Sequence, residues 1–364
     1  MQRKRAPQAF SVALSLSVAL SLSVALSLGV LVLSAGSGVA QTPEPFYKGK
    51  TINFLVASVP GGINDLTARL ISRHLGKHIP GNPNIVVQNL KSSGLALINR
   101  VYNTQEKDGL TIGIVERGAP QLAIMGDPNA RFDPLKVTWL GSVSSYRNDA
   151  YTLSVNASFY AKTVDDLRKT DRPSAKIGST GAGATNGIFT NIAKDVLKLN
   201  IQHVRGYRGA AAVFLAQQRG ELDGQVVGLS SMKVGQPALW QAGAFRPLIM
   251  FGRTTRFSEF PNVPTGRELT KDPKALRLLD FAEAPFFMAL PLIAPPGLPA
   301  ERAAALQKGF MAMTKDPAFI AEAAKMRLEL SPIDGEAVRK VIAQMMETPA
   351  DVIAQFKEIA GTKN

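Results

Sequence analysis

One local pattern occurs twice and limits what this chain can fold into: a strand, a glycine-containing turn and a helix, first over residues 51–69 and again over residues 176–197. In the first copy Ile52, Phe54 and Val56 alternate as a buried strand, Pro60-Gly61-Gly62 breaks it, and Leu66, Leu70 and Ile71 resume at helical spacing. In the second, Lys176-Ile177-Gly178 runs into Ser179-Thr180-Gly181-Ala182-Gly183-Ala184-Thr185-Asn186, and Ile188, Ile192, Val196 and Leu197 restore the helical period. Each turn therefore sits at the carboxyl end of a strand and the amino end of a helix. Backbone N–H groups and the helix dipole suit such a position to an anion, a carboxylate among them. A single loop of this kind is equally an ordinary connection; two of them read as the jaws of a clamp.

The rest of the chain extends both units. Residues 85–87 and 111–115 read as strands, the second preceded by the turn Lys107-Asp108-Gly109, with a helix over 95–102 between them. This β-α-β-α-β order implies a parallel sheet with right-handed crossovers, whose ligands bind beyond the carboxyl ends of the strands. Residues 131–148 read as a crossover containing a short strand at 139–143. The second unit opens with a capping box of Thr163 and Asp166 and continues with strands at 201–204, 225–227 and 246–251 and a helix over 210–218. An apolar strand over 287–294 returns the chain to the first unit, and helices over 300–313, 317–326, 336–346 and 350–360 complete it.

A chain of 364 residues, 45% of them hydrophobic, is long enough for two packed α/β domains. It has no cysteine, which excludes disulfides, thiolate metal sites, cysteine nucleophiles and a lipid-modified cysteine. The formal charge of +14 draws anionic solutes, but the basic residues are scattered rather than gathered with aromatics, so no nucleic-acid partner is expected.

Residues 1–40 read as a signal peptide: Arg3, Lys4 and Arg5, an uncharged run over 10–33, then Gly38-Val39-Ala40 before Gln41. The run exceeds the usual core of about 7–15 residues because Ser-Val-Ala-Leu-Ser-Leu is repeated in tandem from Ser11, Ser17 and Ser23. Cleavage after Ala40 is expected, a retained membrane anchor being the alternative, and either places the body outside the cytoplasm.

Other chemistry is poorly supported. Lys48-Gly49-Lys50-Thr51 imitates the end of a phosphate-binding loop, but Glu44 stands where that motif needs glycine and a strand follows instead of a helix. The glycines of 181–187 miss the dinucleotide spacing by one residue. His74 and His78 share a helix face, but a metal site would need more ligands than His203 alone could add. No Gly-x-Ser-x-Gly elbow occurs. No enzyme, no cofactor and no metal are expected.

The chain resembles the Bug family, the extracytoplasmic solute-binding receptors of tripartite tricarboxylate transporters, over most of the segment beyond residue 46. The resemblance rests on Pro60-Gly61-Gly62-Ile63-Asn64-Asp65 with Ala68-Arg69, Ile79-Pro80-Gly81-Asn82-Pro83 with Val87-Gln88-Asn89, Gly206-Tyr207-Arg208-Gly209, Arg219-Gly220-Glu221-Leu222-Asp223-Gly224, Pro261-Asn262-Val263-Pro264-Thr265 and Ala294-Pro295-Pro296-Gly297-Leu298-Pro299. It implies a type II periplasmic-binding-protein fold, two α/β lobes around a ligand cleft, with residues 47–147 and 252–364 in lobe 1 and residues 148–251 in lobe 2.

The resemblance also implies a monomeric periplasmic receptor that holds a small organic carboxylate between the loops and delivers it to membrane permease subunits. The implied ligand-binding set is Pro60, Gly61, Gly62, Ile63, Asn64 and Asp65 from the first loop and Ser179, Thr180, Gly181, Ala182, Gly183, Ala184, Thr185 and Asn186 from the second. Asp223 could face the cleft or simply close a turn, and Asp65 is expected to fix the first loop rather than touch an anion. Ile63 departs from the glycine usual in the family, and Lys91 stands where a glycine-rich turn is common, as a cation beside the cleft or a solvated side chain. The rival readings are a sensor of the same fold, which a neighbouring permease gene would argue against, and a secreted hydrolase using a serine of the second loop.

Overall fold

The computed structural model describes residues 45–361 apart from Val59, Ser92 and Ala182. The proposed leader, residues 1–40, lies outside the described residues. The strands among the described residues are β1 Thr51–Val56, β2 Asn84–Asn89, β3 Thr111–Ile114, β4 Thr138–Ser142, β5 Tyr151–Asn156, β6 Ala175–Gly178, β7 Ile201–Val204, β8 Gly224–Gly228, β9 Phe245–Phe251, β10 Pro291–Ala294 and β11 Ile333–Asp334.

They form two sheets, in the orders β11-β4-β10-β3-β1-β2 and β7-β6-β8-β5-β9. In the first, β1 runs parallel to β2 and β3, with Thr51 opposite Asn84 and Asn53 opposite Thr111, as the alternation of strands and helices predicts. In the second, β6 is parallel to β7 and β8. Antiparallel strands complete each sheet: β10 lies between β3 and β4, and β5 lies between β8 and β9.

β1 is the centre of the first core. Ile52, Phe54 and Val56 are fully buried on one face, where they join Leu70 and Ile71 of the helix Ile63–Leu75 and the rings of Phe310 and Phe319. Leu55 is buried on the opposite face with Leu97 and Ile98. Burial on both faces is what helices on either side of a parallel sheet produce, and each such side chain contributes roughly 1.5–3 kcal/mol. The end of the same helix and the 3₁₀ turn Gly76–His78 that follows it are also used. His74 meets Glu322 at 2.7 Å and His78 meets Asp316 at 3.0 Å, so both histidines pin the neighbouring helix Pro317–Lys325.

One expected strand is shorter than its apolar run. Residues 287–294 contribute only β10, because Ala284–Met288 coils into a 3₁₀ turn that buries Phe286 and Met288. Apolar runs of this length do not separate a strand from a buried helical turn.

Candidate functional site

A cavity of about 710 Å³ opens beyond the carboxyl ends of the parallel strands of both sheets. Ile63 and Asn64 reach it after β1, Glu116 and Arg117 after β3, Thr185 after β6 and Ser230 after β8. Between the sheets, Tyr146 and Asp149 line it from the connection β4 to β5, and Phe286 from the connection β9 to β10.

The first loop is held from within. Gly61 adopts φ +84°, a conformation that favours glycine, and its N–H donates to Asp65 Oδ2 at 2.8 Å. Asp65 is buried and also accepts from Arg69 Nε at 3.1 Å and Asn89 Nδ2 at 2.9 Å. Burial pushes its carboxyl up, but the hydrogen bonds from Arg69, Gly61 and Asn89 outweigh this and hold it below the usual carboxylate value. Asp65 is thus the buckle of the loop, and the Gly61 N–H serves the buckle. No side chain caps the helix that follows, and its first residues, Ile63 and Asn64, border the cavity. Ile63 is 59% exposed.

The second loop is tied differently. Thr180 Oγ1 donates to Asn186 Oδ1 at 3.0 Å, closing the loop on itself. Ser179 is fully buried and its Oγ lies 2.6 Å from His203 Nε2, while His203 Nδ1 lies 2.7 Å from Asn191 Oδ1. The Asn191 amide donates to the Ile359 carbonyl, which presents its oxygen to His203 Nδ1, and Arg205 Nε lies 3.3 Å from the same nitrogen. This serine–histidine–asparagine series has the order of a hydrolytic triad, but its serine has no exposed surface and does not line the cavity. It anchors the loop to the C-terminal helix Ala350–Ala360. That helix Gly183 also approaches, since a side chain there would meet the Ala360 carbonyl.

Of the residues expected from sequence, Ile63, Asn64 and Thr185 line the cavity. Pro60, Gly61, Gly62, Thr180, Gly181, Gly183, Ala184 and Asn186 form the two loops behind them, and Ala182 lies outside the described residues. Asp223 does not line the cavity. It stands at the amino end of β8, where its carboxylate accepts from the Lys176 N–H at 2.8 Å, at the opposite end of β6 from Ser179. Lys91 is exposed and does not line the cavity.

Sequence reading missed Glu116, Arg117, Tyr146, Asp149, Ser230 and Phe286. The rule applied to β1 could have found Glu116 and Arg117, which follow β3 directly. Burial pushes the Asp149 carboxyl up against hydrogen bonds from Ser230 and Ala150. Among the described residues no cluster of histidine and acidic side chains is arranged to hold a metal ion, and no helix is long and apolar enough to cross a membrane.

Half-buried His203 and buried Glu283 set opposing pH dependences. Burial, with Arg205 and Lys194 nearby, pushes His203 down to about 4, so its contribution to stability grows as pH rises from there to its ordinary value of 6.5. Burial pushes Glu283, which accepts from Arg267 Nε at 2.9 Å, up to about 7, so its contribution is lost as pH rises from 4.5 to that value. Asp65, Glu268 and Glu322 are held below their ordinary values and act at lower pH. Asp149, also raised by burial, adds a falling part of its own, so Glu283→Gln is expected to make urea midpoints rise more, or fall less, between pH 4.5 and 7 than in the wild type. A profile with the wild-type slope would contradict a raised Glu283.

Two α/β sheets whose strand ends meet over one cavity define a two-lobed solute-binding protein of the type II periplasmic class. The TctC family model, described as the tripartite tricarboxylate transporter family receptor, matches residues 67–357, and the chain belongs to that family. The family is one of binding receptors rather than enzymes. Solved structures share the fold. A ligand-free TctC solute-binding protein from Polaromonas is 17% identical, with a TM-score of 0.67 over 87% of this chain and 100% of its own. The periplasmic binding protein BugD is 18% identical, with a TM-score of 0.57 over 87% and 99%. An R. palustris protein solved with adipate is 20% identical, with a TM-score of 0.56 over 86% and 97%. No curated protein matches the sequence significantly.

Proposed function

We propose that this receptor captures a small carboxylate in the periplasm by closing its lobes over it and hands it to a tripartite tricarboxylate-type permease. The observation that carries the reading is that two helix amino ends without side-chain caps, at Ile63 and at Thr185, border one cavity. Their backbone N–H groups and dipoles attract the same charge from both sides, and the basic balance of the chain adds a favourable field. The lobes are residues 47–147 with 252–364, and residues 148–251; the sheets support this division, the second taking strands from within 151–251. The adipate in the R. palustris structure agrees with a carboxylate ligand.

The test is a thermal-shift screen of the chain lacking residues 1–40 against mono-, di- and tricarboxylates and aromatic acids. A true ligand at 100 times its Kd is expected to stabilise by about 2.7 kcal/mol. Shifts with sugars or cations and none with any carboxylate would overturn the reading.

A further inference from the structure

Two cations line the cavity, the exposed Arg327 and Arg117, and Arg117 is the one set into its wall. It follows β3 and is half-buried, with its guanidinium carbon 4.2 Å from the centre of the Phe286 ring and 5.9 Å from that of Tyr146. Among the described residues it makes no hydrogen bond and no ion pair. Carboxylates are close at hand, but each is committed elsewhere. Glu116 accepts from Asn64 Nδ2 at 3.0 Å. Asp149 accepts from Ser230 Oγ at 2.5 Å and from the N–H groups of Ala150 and Ser230. Glu329 accepts from the Asn148 N–H at 3.1 Å and from Ser144. A guanidinium carries five donors and is not deprotonated in proteins, so Arg117 brings to the cavity wall a fixed positive charge, stacked on rings, whose donors have no partner among the described residues.

Tyr146 shows that this corner is built. Its φ of +60° is a genuine outlier for a bulky residue. The conformation is held by its N–H donating to Ser144 Oγ at 3.2 Å and by Arg253 donating to its carbonyl at 3.4 Å. It sets the Tyr146 ring 4.9 Å from Phe286, completing the platform on which Arg117 rests. Strain of this kind collects at ligand sites.

From these observations we infer that Arg117 holds a second anionic group of the ligand, and that the receptor is selective for dicarboxylates with an apolar spacer. The inference rests on the carboxylate reading above, which assigns the first group to the two loops. Position sets the spacing. β1 and β3 are neighbouring strands, so Arg117 emerges roughly 5 Å to the side of the first loop, and Asn64 is hydrogen-bonded to the residue preceding it. The lining supplies apolar surface for a spacer from Ile63, Leu122, Ile188 and Phe286. A ligand with one carboxylate leaves the guanidinium without a partner; one with a short hydrocarbon spacer between two carboxylates satisfies both poles.

Titration calorimetry of the wild type, Arg117→Gln and Arg117→Lys with matched pairs, adipate against hexanoate and terephthalate against benzoate, tests this. The wild type is expected to prefer the dianion of at least one pair by on the order of tenfold or more. Arg117→Gln should weaken the dianion by on the order of tenfold more than the monoanion and so remove the preference, and Arg117→Lys should retain part of it. Equal affinity for monoanion and dianion in the wild type, or a preference that survives Arg117→Gln, overturns the assignment while the carboxylate function stands. An equal loss of monoanion and dianion affinity in Arg117→Gln overturns it too, because Arg117 would then hold the first group. Absence of binding by any carboxylate overturns the parent reading instead.

Discussion

Changing Asp65 to alanine is expected to lower the unfolding free energy by about 2–4 kcal/mol and to abolish carboxylate-induced stabilisation. The buried carboxylate is the common acceptor for the Gly61 N–H, Arg69 and Asn89. Asn89 also donates to the Ser58 carbonyl at 3.0 Å, so one acidic group links the end of β2 to both ends of the loop. Without it the Gly61 N–H and the Asn89 amide lose their acceptor and the helix start is no longer fixed. Asp65→Asn, which keeps an acceptor oxygen, should fall between the two. Urea denaturation reads the first effect and a thermal shift with adipate the second. An alanine variant that keeps a full adipate shift would show that the first loop is not a jaw of the site.

Phe286→Ala is expected to destabilise by about 3–5 kcal/mol, the range for a large aromatic removed from a core. The ring is 1% exposed and lies within 5.6 Å, centre to centre, of Tyr146, Tyr151 and Phe189. It also occupies the space that a side chain at Gly252 would need. It therefore joins the second sheet, both inter-sheet connections and the support of Arg117. Phe286→Leu should recover most of the stability because it restores most of the volume. A destabilisation below about 1 kcal/mol for the alanine variant, read from urea midpoints at unchanged slope, would mean that the cluster repacks around the gap.

The loops were legible because each combines glycine with a change of period, from two along the strand to 3.6 along the helix. β5 was not legible for the opposite reason. Its alternating Thr152 and Ser154 look like a solvent face, yet both are fully buried, and Thr152 Oγ1 donates to the Ile249 carbonyl at 2.9 Å. The helix Pro273–Glu283 carries a readable signal, Asp272 capping the Lys274 N–H just before proline, the same device that opens Pro317–Lys325 at Asp316. Arg117, Tyr146 and Phe286 meet only in three dimensions, brought together from positions 169 residues apart in the chain at their extremes. Spacing along a sequence does not encode that meeting.

The two connections between the sheets carry a mechanical consequence. They leave paired strands and enter paired strands, since β4 neighbours β10 and β5 neighbours β9. Arg253, on the second connection, donates to the carbonyls of Arg147 at 2.8 Å and Asp149 at 2.7 Å on the first. Two antiparallel tethers laced together in this way behave as a strap hinge. If the lobes close as proposed, such lacing would oppose torsion and sliding of one sheet against the other and favour bending across the connections.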